Sequence, residues 1–147
     1  MKKTGGFTLL ELMIVLVLIS LILGLSAALF TKTLGKSSMD ATARDIIAAV
    51  RAARVLAQNN GVSQNIVFDL ETKRYSIEGR SEKVLSSGIG IKIIDPLYGE
   101  VIKGKYSLTF HPGGAVEGGT IVLSDTNRRI NIHMDPVIGA VEMKAEY

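Results

Sequence analysis

Between residues 7 and 30 the chain is almost entirely apolar, and a single acidic side chain, Glu11, stands near the head of that stretch. As a helix it would run about 36 Å at 1.5 Å per residue, enough to cross a hydrocarbon core. Moving an ionised carboxylate toward such a core costs at least ~2.5 kcal/mol, so Glu11 requires a partner. No proline lies between residue 7 and Gly61 to break the helix. The expectation is a transmembrane helix over residues 7–30. Lys2 and Lys3 ahead of it mark a cytoplasmic end by the positive-inside rule, which puts the rest of the chain across the membrane.

A conventional secretory signal is cut after its apolar core, at small residues. Here the nearest imitation, Leu25-Ser26-Ala27-Ala28, supplies no A-x-A site. Instead a very short basic leader, Met1-Lys2-Lys3-Thr4-Gly5-Gly6, runs directly into Phe7-Thr8-Leu9-Leu10-Glu11. This arrangement resembles the type IV pilin signal shared by pilins and type II secretion pseudopilins. The resemblance implies cleavage between Gly6 and Phe7 by a prepilin peptidase and N-methylation of Phe7. It also implies that Glu11 pairs with the terminal ammonium of a neighbouring subunit during assembly. The helix macrodipole favours an acid in the first turns by only ~0.3–1 kcal/mol, whereas an opposite charge in low dielectric attracts strongly.

The 147 residues leave room for one modest domain beyond the apolar segment. The mean hydropathy of +0.30 reflects that segment; the remainder has an ordinary soluble composition. The chain has 17 basic and 14 acidic side chains, and loss of Lys2 and Lys3 would leave 15 against 14, nearly neutral. The basic balance is therefore no argument for nucleic acid. Absence of cysteine excludes disulfides, thiol catalysis and cysteine metal sites.

From Asp40 to Asn59 a second helical stretch follows, with Ala43, Ile46, Ile47, Val50, Ala53, Leu56 and Ala57 at steps of three and four. Asn59-Asn60-Gly61 is a stop signal. One long helix is expected, with softer points at Gly24 and residues 35–38. Alternating runs at 64–70, 74–78, 90–94, 106–110, 119–124, 129–134 and 140–143, separated by turn clusters, predict strands. The fold class expected is α+β: a long N-terminal helix, its first half transmembrane and its second half amphipathic, packed on a C-terminal antiparallel β-sheet domain. The division is 1–6 leader, 7–30 transmembrane or filament-core helix, 31–60 amphipathic continuation and 61–147 β-rich domain.

Three distal stretches extend the resemblance: Phe110-His111-Pro112-Gly113-Gly114, Gly118-Gly119-Thr120-Ile121-Val122-Leu123 and Ile138-Gly139-Ala140-Val141. They are similar to the C-terminal pattern of the H-type (GspH/FimT-like) minor pseudopilins. That resemblance implies a structural subunit at or near the tip of a type II secretion pseudopilus. Its partners would be other pseudopilins or pilins, the prepilin peptidase and N-methyltransferase, and an inner-membrane assembly platform. Its location would be the inner membrane, single-pass, with the C-terminal domain in the periplasm. The alternative is a type IV pilus minor pilin, initiating assembly or taking up DNA.

Enzyme readings find no support. His111 and His133 are the only histidines, and no H-E-x-x-H is present. Asp125, Asn127 and Asp135 lack the spacing of a calcium loop and suit turns. Gly88-x-Gly90 lacks the third glycine of a dinucleotide fingerprint and precedes a strand. No catalytic residue, metal or cofactor is expected. Nucleic acid is disfavoured: the DNA-uptake relatives resemble a Gly-Arg-x-Arg ending, whereas the corresponding stretch is Gly139-Ala140-Val141-Glu142. The basic pair Arg128-Arg129 reads as solvated loop surface.

Overall fold

The computed structural model describes residues 8–146, with side chains described outside 25–37. Helix α1 spans Leu9–Asn60. The chain divides into two compact units, Met1–Ser37 and Ser38–Tyr147.

In the first unit the described side chains between Leu9 and Leu23 are all exposed, the large apolar ones from 43% at Val15 to 78% at Leu9. Among the described residues no helix is long and apolar enough to cross a membrane. This corrects the transmembrane helix expected over residues 7–30, and with it the single-pass inner-membrane location.

In the second unit, ten strands follow the helix: β1 (Gln64–Asp69), β2 (Arg74–Ile77), β3 (Lys83–Val84), β4 (Gly90–Asp95), β5 (Gly99–Val101), β6 (Lys105–Phe110), β7 (Val116–Glu117), β8 (Thr120–Ser124), β9 (Arg129–Met134) and β10 (Val141–Glu146). They build two antiparallel five-stranded sheets, ordered β3-β2-β1-β6-β7 and β10-β9-β8-β4-β5, where the sequence pattern predicts one. The chain changes sheet three times, and the last change, from β7 to β8, sits at Gly118 and Gly119, where a Cβ on Gly119 would lie 2.3 Å from the Ile94 carbonyl oxygen.

Both sheets meet the helix in one core. Met39, Ala43, Ile46, Val50, Ala53 and Ala57 are fully buried, and they recur at the helical period that puts them on one face. Against them pack the inward residues of the strands, Ile66 and Phe68 from β1, Leu108 and Phe110 from β6, Ile130 and Ile132 from β9. The period of two in β1, β6 and β9 is what sends these side chains to one face and their neighbours outward. Ile47 and Leu56 of the expected stripe are only half-buried at its border. The domain is thus an N-terminal helix packed against C-terminal antiparallel sheet.

Turns are fixed by aspartates. Oδ1 of Asp69, Asp95, Asp125 and Asp135 each accepts the backbone N–H groups two and three residues on. Asp125 and Asp135 are thereby occupied in turn formation.

Candidate functional site

The helix start is built by Thr8. Its hydroxyl accepts the Glu11 N–H at 3.2 Å, and its carbonyl accepts the Leu12 N–H at 3.2 Å. Thr8 is therefore the N-cap, and Glu11 occupies the third helical position, the T-x-x-E spacing of a capping box. Sequence reasoning passed over Thr8, although that spacing was legible. Glu11 itself is exposed in the first turn, where the helix dipole favours its charge. Gly6 and Phe7, the expected cleavage and methylation positions, lie outside the described residues.

Chemical groups in the sheet unit are tied into structure. Ser63 Oγ lies 3.1 Å from His111 Nδ1, and His111 Nε2 lies 2.9 Å from a Glu117 carboxylate oxygen. The order is opposite to a hydrolase triad, where serine meets Nε2 and a buried acid meets Nδ1. Glu117 is 76% exposed, so it supplies no desolvated orienting charge. His133 Nδ1 lies 3.0 Å from the Thr120 hydroxyl on an exposed sheet face. Among the described residues no group of three or more His, Cys, Asp or Glu is placed to hold a metal ion.

A cleft of about 480 Å³ opens between the sheets, lined by Asp95, Leu97, Tyr98, Tyr106, Ser107 and Pro136 among others. Of its two acids, Glu117 stands beside His111, and Asp95 is engaged: the Tyr106 hydroxyl donates to Asp95 Oδ2 while the Leu97 and Tyr98 amides fill Oδ1. The Tyr106 hydrogen bond, then those amides, hold the Asp95 carboxyl below its ordinary range. Burial, then the same hydrogen bond, pushes the Tyr106 phenol up. The pair closes on itself and offers no free acid–base function.

Arg128, expected on solvated loop surface, is only 8% exposed. Its guanidinium donates to the Asp40 carboxylate at 2.9 Å. The Arg128-Arg129 pair is therefore not a basic patch.

Residues 1–27 match the family model described as the prokaryotic N-terminal methylation motif. No curated protein and no solved structure matches the chain. The chain thus carries a prepilin-type motif consistent with a type IV pilin- or pseudopilin-like protein. The motif implies a prepilin peptidase/methyltransferase and other pilin-like subunits as partners.

Proposed function

We propose that the chain is a minor pseudopilin of a type II secretion system, cut between Gly6 and Phe7, N-methylated at Phe7 and built into a pseudopilus as a structural subunit. The observation that carries this reading is the methylation motif over residues 1–27. The uncovered apolar side chains of residues 9–23 support it, because burying a Leu, Ile or Val against sister helices is worth ~1.5–3 kcal/mol each. Residues 7–30 would form the filament core, 31–60 the amphipathic continuation and 61–147 the outward domain. The H-type subfamily is supported by the distal glycine pattern, in which Gly119 stands where no Cβ fits.

Glu11 would pair with the terminal ammonium of a neighbouring subunit. At ~4 Å and an effective dielectric near 20 that attraction is about 4 kcal/mol, well above the dipole term. An unpaired Glu11 inside the bundle would be penalised, which selects the register. The DNA-uptake form of the pilus alternative loses support from Arg128, whose charge is committed to Asp40.

Intact-mass analysis of the chain expressed with a prepilin peptidase tests the reading. The expected product lacks Met1 to Gly6 and carries one added methyl group on Phe7. A product still beginning at Met1 refutes it.

A further inference from the structure

The two sheets of the second unit have four edge strands, and three of them are short. β3 and β7 have two residues each and β5 has three, whereas β10 has six. Short edges are how sheet proteins avoid pairing with other chains; β10 departs from that rule. The Asp135 N–H donates to the Ala140 carbonyl, which fixes the phase of the β9–β10 ladder. Bonded pairs alternate in an antiparallel ladder, so Glu142, Lys144 and Glu146 turn their backbone groups to His133, Asn131 and Arg129. The N–H and C=O groups of Val141, Met143 and Ala145 therefore point to the open edge.

That phase restricts how a second copy pairs antiparallel about a two-fold axis: odd residues must face odd residues. Centring on Met143 sets Val141 opposite the partner subunit's Ala145, and Glu142 opposite the partner subunit's Lys144. The same contacts repeat across the axis. Shifting the centre to Lys144 sets Lys144 against the partner subunit's Lys144 and Glu142 against the partner subunit's Glu146. Shifting it to Glu142 sets Glu142 against the partner subunit's Glu142. Centring on Ala145 sets Lys144 against the partner subunit's Glu146 but leaves Val141 and Glu142 unmatched. Like charges directly opposite are destabilising and opposite charges favourable, so the Met143-centred register alone is charge-complementary over the full span Val141–Ala145. In it Met143, 47% exposed, meets the partner subunit's Met143. We propose that β10 is a homotypic docking edge, on which a second copy of this chain adds antiparallel to continue the sheet, centred on Met143. The proposal stands apart from the filament reading, since it draws on the sheet unit alone.

The chain has no cysteine, so Met143→Cys in the full-length protein reports the contact by an inter-chain disulfide. Val84→Cys, exposed on the β3 edge of the other sheet, is the control. Met143→Cys is expected to cross-link well above that control. Adding Glu142→Lys puts lysine opposite lysine twice and should lower the yield about tenfold. Adding Lys144→Glu as well restores the opposite signs and should restore the yield. Cross-linking no better than the control, yields indifferent to the sign swap, or capture of a different protein in place of a second copy would each overturn the proposal.

Discussion

Arg128 reaches from the turn before β9 to Asp40 in the helix, 88 positions away in sequence, and meets its carboxylate at 2.9 Å. The arginine side chain is 6% exposed and the aspartate 31%. A pair so placed is costly to break from one side, because the buried guanidinium keeps its desolvation cost and loses its anion. Asp40→Ala is expected to lower unfolding free energy by about 1–3 kcal/mol, with Asp125, 3.9 Å from Arg128 Nε, offsetting part of the loss. Denaturant unfolding followed by circular dichroism reads this.

Core truncation should cost more. Ile46 and Val50 are fully buried, while Arg51, next in sequence, is exposed. Ile46→Ala is expected to destabilise by about 2–5 kcal/mol, a large share of a small domain's stability. Val50→Asp should abolish cooperative unfolding, whereas Arg51→Asp should leave the midpoint nearly unchanged.

Two glycines separate packing from chain flexibility. A Cβ on Gly119 meets backbone of Ile94 and Asp95 within 3 Å, and backbone cannot swing aside. Gly119→Ala should therefore cost about 1–3 kcal/mol. Gly113 has nothing within 4 Å and no positive φ; Gly113→Ala should be neutral or slightly stabilising. Thermal melts of the two variants are the comparison.

Acid should weaken the fold through the turn aspartates. The Thr72 amide on Asp69, the Tyr106 hydroxyl on Asp95 and the Ile138 amide on Asp135 each lower a carboxyl below its ordinary value. A depressed native value means that the unfolded chain takes up protons first. Stability is then fully present above about pH 4, the unfolded range, and is lost as pH falls through the native values. Tyr106→Phe removes the leading cause at Asp95 and should shrink this acid loss. Unfolding midpoints at neutral pH and near pH 3 measure both.

The two roles open to Glu11 predict different variants. A capping-box residue tolerates glutamine, whereas a charge partner does not. Glu11→Gln is expected to keep the helix start and lose incorporation into filaments, as does Glu11→Ala, with no change in the unfolding of the sheet unit. Subunit cross-linking in cells reads incorporation; wild-type levels in the glutamine variant would reduce Glu11 to a local helix former.

Long periodic elements were readable from the chain. The stripe Ala43, Ile46, Val50, Ala53, Ala57 and the alternation in β1, β6 and β9 come from periods that local sequence carries. β3, β5 and β7 were not, since two or three residues hold no period, and without β7 the change of sheet at Gly118 and Gly119 has no visible marker. Arg128 was misjudged for a similar reason: its partner is distant in sequence, and a basic pair beside a turn looks solvated. The apolar run at 7–30 predicted a membrane span by composition, whereas among the described residues no helix is long and apolar enough to cross a membrane. Of the functional positions, Glu11 was legible as an anomaly, and its cap at Thr8 could have been read from the T-x-x-E spacing.

The alternation of strands between the sheets has a consequence for how the chain acquires its shape. β1 to β3 and then β6 and β7 belong to one sheet; β4 and β5 and then β8 to β10 belong to the other. During synthesis the first sheet stays incomplete until residue 117 has emerged, and the second until residue 146. Neither has a contiguous stretch that can finish alone, so folding waits on contacts of long sequence separation and is correspondingly slow. The nascent chain therefore spends most of its elongation with unfinished edges, a window in which a chaperone can hold it open before the last strand closes the fold.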